Sequence, residues 1–154
     1  MKISTHLNLA EVTRSDAAKR HGIDNTPTAE HLENFKLLAE KVFEPIRLHF
    51  KTPIFISSGY RSQALNAFIK GSATSQHCKG QAIDIDMDGS NAGVTNKMVF
   101  DFIKDRLEFD QLIWEFGTDT NPDWVHVSYS KTGNRKQKLK AVRSGGKTSY
   151  INIP

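Results

Sequence analysis

After Pro53 the sequence carries six short apolar or β-branched runs, IFISS, QAIDIDM, QLIWEF, WVHVSY, KLKAVR and TSYINI, and the helical patterns between them are irregularly spaced. Repeated parallel crossovers require a helix between successive strands, so this order predicts an α+β domain with a mainly antiparallel sheet flanked by helices. From about Thr28 to Phe50, Leu32, Phe35, Leu38, Ala39, Val42, Phe43 and Ile46 fall on one helical face. Pro45 lies inside that run and predicts a kink or break. Thr13 to His21 reads as a short helix, with Ser15 as an alternative cap and Gly22 past its end. Ser62 caps a helix to about Ile69 that Gly71 closes, and Val94 to Leu107 is a further amphipathic helix with Val99, Phe102, Ile103 and Leu107 inward. KLKAVR and TSYINI read as edge strands.

At 154 residues the chain fits one domain, 1–154, that can bury a core without covalent staples. Hydrophobic content of 38% with 25% charged residues excludes the disordered and membrane classes. Cys78 is the single cysteine, so no intrachain disulfide framework exists. The opening MKISTHLNLAEVTR turns polar too soon for a secretory segment, which leads us to expect synthesis in a cytoplasm and no membrane association. Charge is divided unevenly. Residues 1–130 hold 14 Lys and Arg against 17 Asp and Glu, whereas residues 131–154 hold seven basic residues and no acid. That basic C-terminal segment is a solvated ribbon or a docking patch for an anionic polymer. Nucleic acid is not expected, since no aromatic interleaving beyond Tyr150 accompanies the charge.

The chemistry concentrates in SQHCKGQAIDIDM and DWVHVSY. His77, Asp84 and His126 offer two imidazoles and a carboxylate, a ligand set that leaves a fourth tetrahedral position open on a catalytic zinc. Gly80, between the first two, lets a short loop turn both toward one ion. Asp123, three residues before His126, is the candidate general base, and Glu115 at the end of the LIW run is its rival. Arg61 could offer a cationic fork to a substrate carboxylate or to a developing oxyanion. Tyr60 beside it is either a substrate contact or a packing residue with a wet hydroxyl. Asp86 and Asp88 compete with Asp84, but a calcium loop starting at Asp84 would place Thr95 at its twelfth position, where an acid is needed. His6, His21, His31 and His49 have no paired spacing.

The run S-x-H-x-x-G-x-A-x-D, here Ser75, His77, Gly80, Ala82 and Asp84, together with D-x-x-H at Asp123 and His126 and the segment SGYRS, resembles the zinc D-alanyl-D-alanine carboxypeptidases and related peptidoglycan peptidases. The opening HLNLAEVTRSDAAKRHGIDNTP resembles the lead-in, about residues 1–26, of short phage and prophage members, so the likeness covers roughly residues 6 to 130. It implies the fold shared with Hedgehog signalling domains and one zinc ion on His77, Asp84 and His126. It also implies Asp123 as base, Arg61 at the substrate or transition state, and Ser75 at the substrate's peptide group. The implied substrate is the peptidoglycan stem peptide, cut at the D-Ala-D-Ala or the L-Ala-D-Glu bond. The alternative is a zinc-containing wall-binding or virion structural module without turnover. Cys78 falls outside the family pattern.

Overall fold

The computed structural model describes residues 1–154. Strands β1 (Ile56–Ser58), β2 (Ala82–Ile85), β3 (Gln111–Glu115), β4 (Trp124–Ser128), β5 (Gln137–Ser144) and β6 (Lys147–Asn152) form one sheet in the order β1-β2-β4-β3-β5-β6. Every neighbouring pair is antiparallel except β3 with β5, which run parallel. The α+β expectation holds. The edge assignment of KLKAVR does not, because β5 is hydrogen-bonded on both sides and only β6 closes that end of the sheet. Its register is set from buried Asp110, whose carbonyl accepts from Gln137 N at 2.9 Å and whose carboxylate takes Arg135 through Nε and Nη2 at 2.8 and 2.9 Å. That clamp sits immediately ahead of β5 and beside the start of β3.

Alternation along the strands separates the two faces of the sheet. Ile83 and Ile85, Leu112 and Trp114, and Val125 and Val127 join Phe35, Phe43, Ile46, Val99 and Ile103 in the main apolar core. The opposite face carries Asp84, Ile113, Glu115 and His126, with Ile113, Leu139 and Ala141 as a small satellite cluster. Helices therefore cover one face, and the other is left open for chemistry.

The long amphipathic run is helical throughout but changes pitch. Helix α3 (Ala29–Leu38) passes into a π turn (Ala39–Phe43) and then α4 (Glu44–Phe50). The Glu44 N–H bonds back to the Ala39 carbonyl, and the wider turn puts Pro45 into the first turn of α4. The expected break is thus a local widening. In the lead-in, α1 (Leu9–Thr13) and α2 (Asp16–His21) are separate helices, since Ser15 caps the second by accepting from Ala18 N at 3.1 Å and Arg14 is extended. Helix α5 (Gln63–Phe68) is capped by Ser62 as expected, but the left-handed residue after it is Lys70 rather than Gly71. Helix α6 (Asn96–Arg106) starts from Thr95, and its Phe102 stacks on His49 of α4 while Val99, Phe100 and Ile103 are fully buried. No helix is long and apolar enough to cross a membrane.

Candidate active site

Asp84 of β2 and His126 of β4 are direct cross-strand partners, so the sheet register itself brings them together. Asp84 Oδ1 stands 3.0 Å from His126 Nδ1 and 3.3 Å from His77 Nε2. The three ligand atoms lie within 4.8 Å of one another. Ligand atoms about 2.1 Å from one tetrahedral zinc are about 3.4 Å apart, so this spacing suits that ion. Burial alone would raise the Asp84 carboxyl, but the His77 and His126 rings beside it outweigh burial and hold it well below the usual carboxylate range. The carboxylate is therefore ionised and ready to ligate.

His77 arrives from a different direction, on a 3₁₀ turn (Gln76–Lys79) that Ser75 caps by accepting from His77 N at 3.3 Å. Gly80 ends this turn at φ +70, and a Cβ there would lie 2.3 Å from the His31 carbonyl oxygen. No other residue satisfies both the left-handed backbone and that close approach. The orientation of the ring is fixed from behind, where the Gly59 carbonyl sits 2.7 Å from His77 Nδ1. Nδ1 is thus the donor and Nε2 keeps its lone pair for a metal. Gly59 is in turn pressed against the lead-in, since a Cβ on it would meet the Val12 carbonyl oxygen at 2.3 Å. Helix α1 consequently buttresses the ligand-bearing turn.

Around these three residues opens a mostly polar cleft of about 1240 Å³. Arg61 lines it, donating through Nη2 to Ser75 Oγ at 3.3 Å, while its buried Nε has no partner. Its guanidinium faces no carboxylate, which leaves the charge available to a ligand. Ser75 thus holds both the His77 turn and the Arg61 fork. Tyr60, by contrast, is 5% exposed and packs in the core against Phe35, with its hydroxyl 2.9 Å from His31 Nδ1. It does not line the cleft that Arg61 lines.

The two carboxylates considered as base are placed differently. Glu115 pairs across with Trp124 and lies on the ligand face, lining the cleft at 8% exposure. Burial pushes its carboxyl up to about 7, with His126 opposing and Asp84 adding to the rise. Asp123 precedes β4, is exposed and does not line the cleft. Its backbone is held elsewhere, its N–H donating to the Glu115 carbonyl at 2.9 Å and its carbonyl accepting from Asn96 Nδ2 at 3.0 Å. Asp86 is likewise engaged, accepting from Asn96 Nδ2 at 3.0 Å.

Asn96 is a residue that the sequence reading missed. Fully buried, it also donates to the Pro122 carbonyl and accepts from Met87 N, thereby tying the loops after β2 and before β4 to α6. The only hint was an amide in the first turn of an amphipathic helix. The clamp of Asp110 on Arg135 and Gln76 went unread for a similar reason, since the partners are 25 and 34 residues away. Cys78 is buried, and burial pushes its thiol up against the lowering effect of Arg61 and Lys79. His6, His21, His31 and His49 contact Glu44, Phe68, Tyr60 and Phe102 respectively, away from the cluster.

A sequence model of the family described as peptidase M15 matches residues 5–128. The chain belongs to the peptidase M15 family. No curated protein matches it. Family membership makes this M15 chain a zinc-dependent metallopeptidase in class, and its His77, Asp84 and His126 form the one cluster of acidic, His or Cys side chains arranged to hold such an ion. The match stops at residue 128, so β5 and β6 lie beyond it. Their basic residues do not make a single patch. Arg135, Lys136 and Lys140 are paired with Asp110, Glu108 and Asp119, and Arg143 lies over the Phe116 ring on the cleft side.

Proposed function

We propose that this M15 chain hydrolyses peptide bonds in bacterial peptidoglycan stem peptides, at the D-Ala-D-Ala or the L-Ala-D-Glu bond, as a phage or prophage wall-lytic enzyme. The observation that carries the reading is the convergence of His77, Asp84 and His126 in a cleft that also holds an unpaired guanidinium, Arg61, and a buried carboxyl, Glu115. His77 through Nε2, Asp84 through a carboxylate oxygen and His126 through Nδ1 would hold the zinc, which when bound would supply a Lewis acid to polarise the scissile carbonyl and acidify water. The chain's own residues do the rest. Glu115 takes the proton of the attacking water and returns it to the leaving amine. We assign the base to Glu115 in preference to Asp123 because a base must reach the reacting water, and of the two only Glu115 lines the cleft. Arg61 binds a substrate carboxylate or the oxygen on which charge develops, with Ser75 fixing its fork. Gly59 keeps the His77 imidazole in the ligating tautomer.

The test is digestion of purified peptidoglycan followed by mass analysis of the fragments, using wild type, Glu115→Gln, Asp123→Ala and a chelated sample. Wild type and Asp123→Ala are expected to release the same fragments, with the other two inert, and the masses identify the bond. Equal product from all four samples, or none from wild type, overturns the proposal. Retained wall binding without product would instead favour the silent binding module.

A further inference from the structure

The hairpin β5–β6 lies outside the matched family region yet walls the candidate cleft. Sheet register explains how. Glu115 is opposite Ala141 across the parallel pair, and Ala141 is opposite Tyr150 across the antiparallel one. Glu115, Ala141 and Tyr150 therefore form one row on the face that carries the ligands. Two strand spacings, about 9–10 Å, separate the outer two at the backbone. The residue between them ends in a single methyl group, so nothing tall stands between the phenol and the carboxyl. Tyr150 lines the same cleft as Asp84, Glu115 and His126. The charges of Glu115 and Asp84 both bear on its hydroxyl, in addition to the larger effect of burial.

Two further features mark Tyr150 as unfinished business for this fold. Its hydroxyl makes no hydrogen bond to the protein, unlike that of Tyr60, which is bonded to His31. Tyr150 as a whole is 56% exposed, although it lines the cleft. An aromatic ring with an open hydroxyl offers apolar area and one donor to a peptide lying across the sheet.

We propose that Tyr150 is a substrate-contacting residue supplied by the C-terminal hairpin, its ring packing on the bound peptide and its hydroxyl donating to a peptide carbonyl on the Glu115 side of the scissile bond. The basic tail then earns its position as a cleft wall rather than as a polymer-docking ribbon. This inference rests on the peptidase reading above and specifies which part of the chain orients the substrate.

The experiment compares zinc-loaded wild type, Tyr150→Phe and Tyr150→Ala on a synthetic stem pentapeptide containing both candidate bonds, with zinc content and Tm measured on each. Tyr150→Ala is expected to lower kcat/KM at least tenfold, mainly through KM. Tyr150→Phe keeps the ring and is expected to recover part of that loss, with zinc content and Tm unchanged in both. A Tyr150→Ala protein within twofold of wild type in kcat/KM overturns the inference while leaving the peptidase reading intact. If Tyr150→Ala fails to fold, a Tyr150→Phe protein indistinguishable from wild type removes the hydroxyl contact. Absence of cleavage by wild type removes the peptidase reading, and this inference with it.

Discussion

Replacing Glu115 by Gln separates the chemical role of that carboxyl from its structural cost, because the two have opposite signs. Burial pushes the group from its ordinary 4.5 up to about 7 in the metal-free protein, with His126 opposing and Asp84 adding. Between those two values the folded chain keeps a proton that the unfolded chain has released. Stability therefore falls as pH rises through that window and stays at its reduced level above 7. At 1.36 kcal/mol per pH unit the loss is about 3 kcal/mol. Glutamine retains the shape and cannot ionise. With chelator present, Glu115→Gln should unfold roughly 5–10 °C above wild type at pH 8, given the usual 2–4 °C per kcal/mol for chains of this size. At pH 5, only about half a unit into that window, the two proteins should differ by no more than about 3 °C. Loaded with zinc, the same variant should lose roughly 10²–10⁴-fold in turnover of the stem pentapeptide. Circular dichroism melts with chelator at the two pH values, alongside mass-detected turnover, read both effects. Equal or lower stability of Glu115→Gln at pH 8 would refute the buried-carboxyl argument, and turnover within tenfold of wild type would refute the base assignment.

Gly80→Ala should cost more than about 1 kcal/mol, from the left-handed backbone plus the 2.3 Å approach of the His31 carbonyl. Zinc affinity should fall in parallel, and calorimetric titration with zinc checks both. Asn96→Ala orphans Met87 N and the Pro122 and Asp123 carbonyls in a buried setting, so urea unfolding should register a loss of about 2–4 kcal/mol. Arg135→Ala leaves the buried Asp110 carboxylate with only Gln76 Nε2 and the backbone N–H of residue 135. Because the Arg135 side chain is 57% exposed, the expected loss is discounted to about 1–2 kcal/mol. Exchange of β5 amides measured by deuterium uptake should rise first, since the clamp sits immediately ahead of that strand.

The parts of the fold that follow from local periodicity were legible. Ser15 and Ser62 each place a short oxygen-bearing side chain at the start of a helical stretch, and both cap helices as read. Parallel pairing of β3 and β5 was not legible, because it is decided by a contact between Asp110 and Arg135 that no local pattern encodes. The π turn had the same character. Pro45 announced a disturbance, while the form it takes depends on packing of Phe43 and Ile46 against the sheet. At the site, the spacing of His77, Gly80 and Asp84 pointed to one loop and strand. Which of Glu115 and Asp123 faces the cleft follows from strand pairing: Ile113 pairs with His126, so Glu115 two residues on shares its face, whereas Asp123 lies ahead of the strand that begins at Trp124. Tyr60 was read as either a substrate contact or a packing residue, and its ring packs against Phe35 with its hydroxyl on His31.

The central claim is that two imidazoles and one carboxylate from separate parts of the chain hold a single ion. Metal content of freshly purified protein, with zinc affinity by competition against a chromogenic chelator, tests it directly. One zinc per chain is expected in wild type and in Glu115→Gln, with affinity lost by at least a hundredfold in each of His77→Ala, Asp84→Ala and His126→Ala. Wild type that takes up no zinc, or an Asp84→Ala protein that binds it as tightly as wild type, would contradict the account.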